Sequence, residues 1–260
     1  MNLFSLKYLG IFFLVISFFS FFNIIYSYYF NLLINLNSYI LTSTLSLIIG
    51  LFLAIFKNYK FEKISLFQRI LTVLYGYILL PIIISCPYYL SIDNTSFIDC
   101  YFESISGFTS TGFTVFGDLE KLDQTLILWR SSSQWIGGLY FLFSILLLID
   151  VFDENLKKSI TNYISFNSSE IFKQSLKIII IYSSITFIIF IILNLIDIRT
   201  FTSFNLSMTI ISSGGFLPIN NFDSLFQSDL SKIILSVLIL SSYFSLFLIY
   251  NLIFFKTKNL

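Results

Sequence analysis

Two short segments of this chain carry residue types suited to drawing water off an ion. The first is Thr109-Ser110-Thr111-Gly112-Phe113, with Gly107 and Gly117 on either side; the second is Ser212-Ser213-Gly214-Gly215-Phe216. A cation that sheds its hydration needs a ring of oxygens, and extended backbone offers carbonyls at close spacing. Glycine takes positive φ without a Cβ clash, so successive carbonyls can turn the same way. The Ser and Thr hydroxyls add oxygens and anchor the loop. A short helical pattern precedes each segment, Ser96 to Phe108 and Thr202 to Ile211, and its partially negative end would point at the same spot. Asp99 and Glu103 stand at i, i+4 on the first of these helices. Gly/Ser-rich turns between helices are common. Here, however, helix, hydroxyls, glycine and aromatic recur in one order, with Gly112 matched by Gly214, 102 positions on. The recurrence makes an ion pore the better reading.

Other chemistries are excluded by what the chain lacks. It has no histidine, so imidazole acid–base work and His-based triads or metal sites are out. Cys86 and Cys100 form no CxxC pair and are expected to be free thiols. No loop has the Asp/Asn alternation of a calcium hand. No nucleic-acid partner is expected at a net charge of +1. No covalent chemistry is implied, so no enzyme and no cofactor is expected.

The elements that must position the two segments follow from composition. The 260 residues are 57% hydrophobic and only 11% charged, with mean hydropathy +0.88. Soluble domains carry about 25% charged residues, so a water-facing globule does not fit. Six apolar runs are long enough to cross a bilayer, at 8–26, 38–56, 70–90, 125–149, 178–196 and 233–254. Irregular backbone cannot face lipid, so these runs are helices, and the two short helical segments dip into the membrane between spans. The fold class is an all-α polytopic membrane protein: two leading transmembrane helices followed by two tandem helix–pore-loop–helix units. The expected divisions are 1–66 for the leading pair, 67–152 for the first unit, and 153–260 for a linker and the second unit. Most basic residues, among them Lys57, Lys60, Lys63, Arg69, Lys157, Lys158, Lys173 and Lys177, fall on one side. The positive-inside rule makes that side, and both termini, cytoplasmic. Asp93, Asp118, Glu120, Asp123, Asp197 and Asp223 fall on the other, giving an acidic outer face that would concentrate cations.

The residues around the first loop carry a family resemblance. Phe102-Glu103-Ser104, Ser106-Gly107-Phe108-Thr109-Ser110-Thr111-Gly112, Leu128-Trp129-Arg130 and Gln134-Trp135-Ile136-Gly137-Gly138 resemble the Trk/Ktr/HKT superfamily of potassium transporters, and within it the bacterial Trk membrane subunits. Ile211-Ser212-Ser213-Gly214-Gly215-Phe216 is similar to that family's second filter. The resemblance implies potassium as the transported substrate in a bacterial inner membrane. It implies ion-binding filter residues Thr109, Ser110, Thr111 and Gly112 in one loop and Ile211, Ser212, Ser213 and Gly214 in the other. Retained Gly112 and Gly214 lean towards potassium rather than sodium. The family fold places four such units around one pore, and this chain has two. The resemblance therefore implies that a second copy (a homodimer) or a separately encoded second half completes the pore. The alternative is a non-conducting, truncated relative acting as a structural or regulatory membrane subunit.

Several other residues invite a reading. Arg130 is expected to pair with Glu103 or Asp99 and support the loop, rather than snorkel to the interface. Gly137 and Gly138 are expected to let a neighbouring helix approach closely. Pro81 and Pro87 are expected to kink or end the third span. The stretch from Asp150 to Lys177 is by resemblance a dock for a cytosolic nucleotide-binding regulatory subunit, and otherwise a solvated linker. Asn94-Thr95-Ser96 and Asn205-Leu206-Ser207 match the glycosylation pattern, as chance allows in so Asn- and Ser-rich a chain.

Overall fold

The computed structural model describes residues 4–55, 66–148, 168–221 and 228–255. These form eight α-helices: α1 Phe4–Tyr29, α2 Leu36–Ile55, α3 Leu66–Ser91, α4 Phe97–Phe108, α5 Gln124–Leu148, α6 Ser168–Leu195, α7 Thr200–Ile211 and α8 Asp229–Phe255. A single turn of 3-10 helix, Leu119–Lys121, precedes α5. Every apolar run expected to cross a membrane overlaps a long helix over nearly its whole length, and the two short helical patterns are α4 and α7. The chain thus runs as a leading pair, α1–α2, and then long–short–long twice, α3–α4–α5 and α6–α7–α8.

Among the described residues, four stretches are long and apolar enough to cross a membrane: Tyr8–Tyr29, Leu36–Ala54, Phe67–Ser91 and Ile178–Leu195. The chain is accordingly a multi-pass helical membrane protein. Helix α5 has the length, 25 residues, but is not uniformly apolar. Its Arg130, Ser131, Ser132, Ser133 and Gln134 are all buried, because α1, α3, α4 and α7 pack around it and no lipid reaches them. Helix α8 covers the sixth expected span, and its side chains are described as far as Ser242. The expected regulatory dock lies largely outside the described residues.

Apolar surface gives helices little reason to associate inside a membrane, where small and polar residues do that work. The α1–α2 pair shows this. The Ser17 hydroxyl donates to the Ser43 carbonyl at 2.9 Å and the Ser20 hydroxyl to that of Tyr39 at 2.9 Å. The seam of Ser17, Ser20, Thr42, Ser43 and Ser46 is buried throughout.

Helix α5 is tied on by aromatic donors. Trp129 Nε1 donates to the Ile84 carbonyl at 2.9 Å, and Tyr101 of α4 donates to that of Ile78 at 3.1 Å. Both acceptors lie three residues before a proline of α3, Pro87 and Pro81, and both prolines sit inside the helix rather than ending it. A proline ring removes the N–H that would reach the carbonyl four residues back, here Ile83 and Tyr77, and crowds the preceding turn, so each aromatic donor lands on the carbonyl next to the freed one. On the other side, Trp135 Nε1 donates to Thr186 Oγ1 at 3.0 Å, and Tyr182 donates to the Trp135 carbonyl at 3.3 Å. Helix α5 thereby bridges the two units.

Candidate ion-filter site

Helix α4 starts on a side-chain cap. Ser96 Oγ accepts from the Asp99 N–H at 3.1 Å and donates to the Asp99 carboxylate at 2.7 Å. Its far end closes in a Schellman motif: the Ser110 N–H reaches the Gly107 carbonyl at 2.9 Å and the Thr111 N–H that of Ser106 at 2.9 Å. The residue that turns the chain, Ser110, has φ +55. Glycine is usual there, and a serine in the left-handed region costs about 1 kcal/mol. Helix α7 ends the same way. Its Ser213 N–H bonds to Ile210 at 2.9 Å, its Gly214 N–H to Thr209 at 2.7 Å, and Ser213 has φ +55.

The two loops therefore repeat in hydrogen bonds and in torsion with a spacing of 103, from Ser110 to Ser213. The spacing of 102 read from the glycines is one residue short. Gly112, at φ +82, matches Gly215 rather than Gly214, and Thr109 matches Ser212. Ile211 matches Phe108. It is the last residue of α7, its side chain is in the core, and it stands before the turn. The doublet Gly214-Gly215 made the sequence ambiguous; the shared Gly-Phe of Gly112-Phe113 and Gly215-Phe216 was the signal that fixes the register.

The two loops touch at the matching glycines. A Cβ on Gly112 would lie 2.5 Å from Gly215 Cα, a distance no side chain tolerates. The faces of Thr109, Thr111, Ser213 and Gly215 are open, while Ser212 turns inward and donates to Met208 and Thr209 carbonyls. Thr109 and Thr111 hydroxyls meet at 2.8 Å. No group of three or more His, Cys, Asp and Glu that could hold a metal occurs among the described residues. The oxygens available to a cation on the open face are loop carbonyls and hydroxyls.

A buried ion pair stands behind the loops. Glu103 is 0% exposed and accepts from Arg130 Nε at 2.8 Å. It also takes the Thr114 hydroxyl on both oxygens, each at 3.0 Å, and the Val115 N–H at 3.0 Å. Those bonds hold the chain as it leaves the first loop. Arg130 then reaches the second loop. One terminal nitrogen donates to the Leu217 carbonyl at 3.3 Å, and the guanidinium lies 4.1 Å from the Phe216 ring centroid. A charge this deep is tolerated because it is paired and hydrogen-bonded. Of the two acids expected to meet Arg130, Glu103 does so and Asp99 caps its own helix.

One turn further on, Gln134 supports the second loop. Its side chain accepts from the Phe216 N–H at 3.3 Å; with the amide flipped, its oxygen accepts from both Gly215 and Phe216 N–H groups at 3.1 Å. Gly137 and Gly138 are where α5 slides between the two short helices. A Cβ on Gly137 would fall 1.9 Å from the Phe108 carbonyl oxygen, and one on Gly138 would fall 2.8 Å from Ser212 Cβ. At the surface Asn220 clasps the first unit, accepting from the Leu119 N–H at 2.9 Å and donating to Asp118 at 2.9 Å. Asp123 accepts from Asn35 at 3.0 Å and from Thr125 at 2.9 Å. Some of the outer acids thus have structural partners. Thr114 and Asn220, which the sequence reading does not single out, hold the loops, and Gly215, named there only within the second motif, is the glycine that meets Gly112. Cys86 and Cys100 are free thiols, and Asn205 is fully buried within α7.

No family model matches the chain. Over 202 residues, 73% of this chain and 41% of the relative, it is 30% identical to an uncharacterized cation transporter of Methanocaldococcus jannaschii. It is 39% identical over 64 residues to the Trk system potassium uptake protein TrkG of Escherichia coli, covering 24% of this chain and 13% of TrkG. It is 40% identical over 55 residues to the Trk system potassium uptake protein TrkI of Halomonas elongata, covering 21% of this chain and 11% of TrkI. Among solved structures, the potassium transporter TrkH from Vibrio parahaemolyticus aligns with a TM-score of 0.73 at 22% identity. That alignment takes in 92% of this chain and 49% of TrkH. The chain spans less than half the length of these relatives.

Proposed function

Because the chain is a homologue of Trk-type potassium transporters and shares the TrkH fold, we propose that it carries potassium across a bacterial inner membrane through a pore to which it contributes two filter loops. Ions enter from the acidic outer face and lose water to carbonyls and hydroxyls of Thr109–Gly112 and Ser212–Gly215. They then move down their electrochemical gradient. Both termini are cytoplasmic by the distribution of Lys and Arg. Two loops make half a ring, so a second half is required to enclose a dehydrated ion.

The observation that supports this reading best is the contact between the two glycines, Gly112 and Gly215, at the ends of identically capped helices. Half-helices ending at one point with their backbone open on one face are a geometry that serves cations. The left-handed serines are ordinary helix ends; the apposition of the two glycines between them is what supports the filter reading.

Rubidium uptake tests the proposal, in cells without their own potassium uptake systems that express this chain and any partner it needs. Wild type restores uptake, and Gly112→Asp abolishes it while still inserting in the membrane. Unchanged uptake by the inserted variant would remove the filter assignment.

A further inference from the structure

We propose that Gln134 of α5 is a positioning residue for ion selection: it aims the Gly214 and Gly215 carbonyls at the open face of the second loop and so sets the preference for potassium over sodium. This rests on the filter reading above. In a trans peptide the N–H and the C=O of one unit point opposite ways. Gln134 is fully buried, and its amide oxygen accepts from both the Gly215 and Phe216 N–H groups at 3.1 Å. The donors dictate that orientation, since an amide NH2 turned towards two N–H groups would bond to neither. Two consecutive N–H groups are thus drawn towards α5, and the carbonyls of the same units, those of Gly214 and Gly215, turn away from it. Gln134 stands on the buried side of the loop, while Ser213 and Gly215 are exposed on the other.

The repeat parts company at this point. Gly112 and Gly215 match in register, yet Gly112 turns through φ +82 and Gly215 does not enter the left-handed region. In the first loop the Gly112 N–H returns to its own helix, to the Ser106 carbonyl at 3.4 Å. In the second loop the matching Thr209 carbonyl accepts from the Gly214 N–H at 2.7 Å, and the Gly215 N–H goes to Gln134 instead. The same spacing puts Leu206 at the place of Glu103 and Pro218 at that of Val115. The carboxylate brace of the first loop and the N–H it holds are therefore absent together from the second. A neutral side chain from another helix holds the glycine itself. Gly214 makes room for it, since a Cβ there would fall 2.4 Å from Gln134 Cδ.

A brace without charge acts on where the oxygens stand rather than on how strongly the loop draws a cation. Carbonyls held at a fixed spacing favour an ion of matching size, whereas released ones close in on a smaller ion. Loss of the Gln134 amide should accordingly change which ion passes, beyond any change in how much.

The test measures rubidium and sodium uptake in the same cells as above, at matched amounts of inserted protein. Gln134→Met, of similar length but without an amide, should lower the rubidium-to-sodium ratio about tenfold, as the loss of two hydrogen bonds to the loop allows. Gln134→Glu, whose carboxylate still accepts both N–H groups, should stay near the wild-type ratio. Gln134→Ser, too short to reach the loop, should behave as Gln134→Met does and replaces it if that variant does not insert. Uptake of both ions falling in equal proportion, with the ratio unchanged, would overturn the proposal and leave Gln134 a packing residue of α5. A Gln134→Glu variant as unselective as Gln134→Met would overturn it too. Infrared difference spectra of the purified protein, with isotope-labelled glycine carbonyls and lithium exchanged for potassium, keep the two readings apart. A potassium-dependent glycine band that Gln134→Met lacks, found without uptake, would remove the transport reading and uphold the role of Gln134. Uptake with a band unchanged in Gln134→Met would remove that role alone, and a wild type with neither would remove both.

Discussion

Glu103 and Asp99 lie one helical turn apart on α4, yet only Glu103 meets a cation. Asp99 sits in the first turn, where free N–H groups and the Ser96 hydroxyl claim it. Glu103 is one turn deeper, fully buried, and serves Arg130, Thr114 and Val115 together. Removing one partner of such a pair leaves a buried charge without compensation, at a cost of about 3–5 kcal/mol. Glu103→Leu and Arg130→Met should each lower the unfolding temperature of the purified protein sharply. The double variant should lose less than the sum, since neither charge is then stranded. Additive losses in thermal unfolding would mean that the two side chains do not act as a unit. The sequence could name Arg130 and offer two acids. It could not choose between them, because the choice depends on where the helix cap falls.

At the scale of elements, α5 decides where both loops stand. Its Gly137 admits the Phe108 carbonyl, and its Gly138 admits Ser212. Gly137→Ala would drive a methyl group into backbone that has no rotamer to change, so α4 and α5 must separate. Rubidium uptake should fall at least tenfold in that variant. Gly117→Ala, where an added Cβ meets nothing within 4 Å, should leave uptake at the wild-type level. Equal behaviour of the two would sever the link between α5 packing and the loops. The helices were legible because apolar runs of membrane length report themselves. The run at 125–149 reads as a span, but hydropathy does not register that its Arg130 to Gln134 face protein rather than lipid. The second loop was legible in kind but not in register, because the adjacent glycines Gly214 and Gly215 each suit the turn.

At the scale of the molecule, the two units are joined behind the loops by Arg130 and Gln134 and at the surface by Asn220. Asn220→Ala deletes both clasp bonds, each worth about 1 kcal/mol. It should lower the unfolding midpoint modestly while leaving insertion unchanged; an unaltered midpoint would show that the clasp contributes nothing.

The dependence of the second loop on α5 also bears on how such a chain can change over generations. The first loop carries its own brace, Glu103, on the helix that leads into it. The second is braced by Arg130 and Gln134, which are encoded more than seventy residues upstream of Ser212. A change at Arg130 or Gln134 therefore reaches the second loop although it is made in the first unit. The residues leading into Ser212 are held by burial in the core, while the polar side chains that anchor the loop stand on α5.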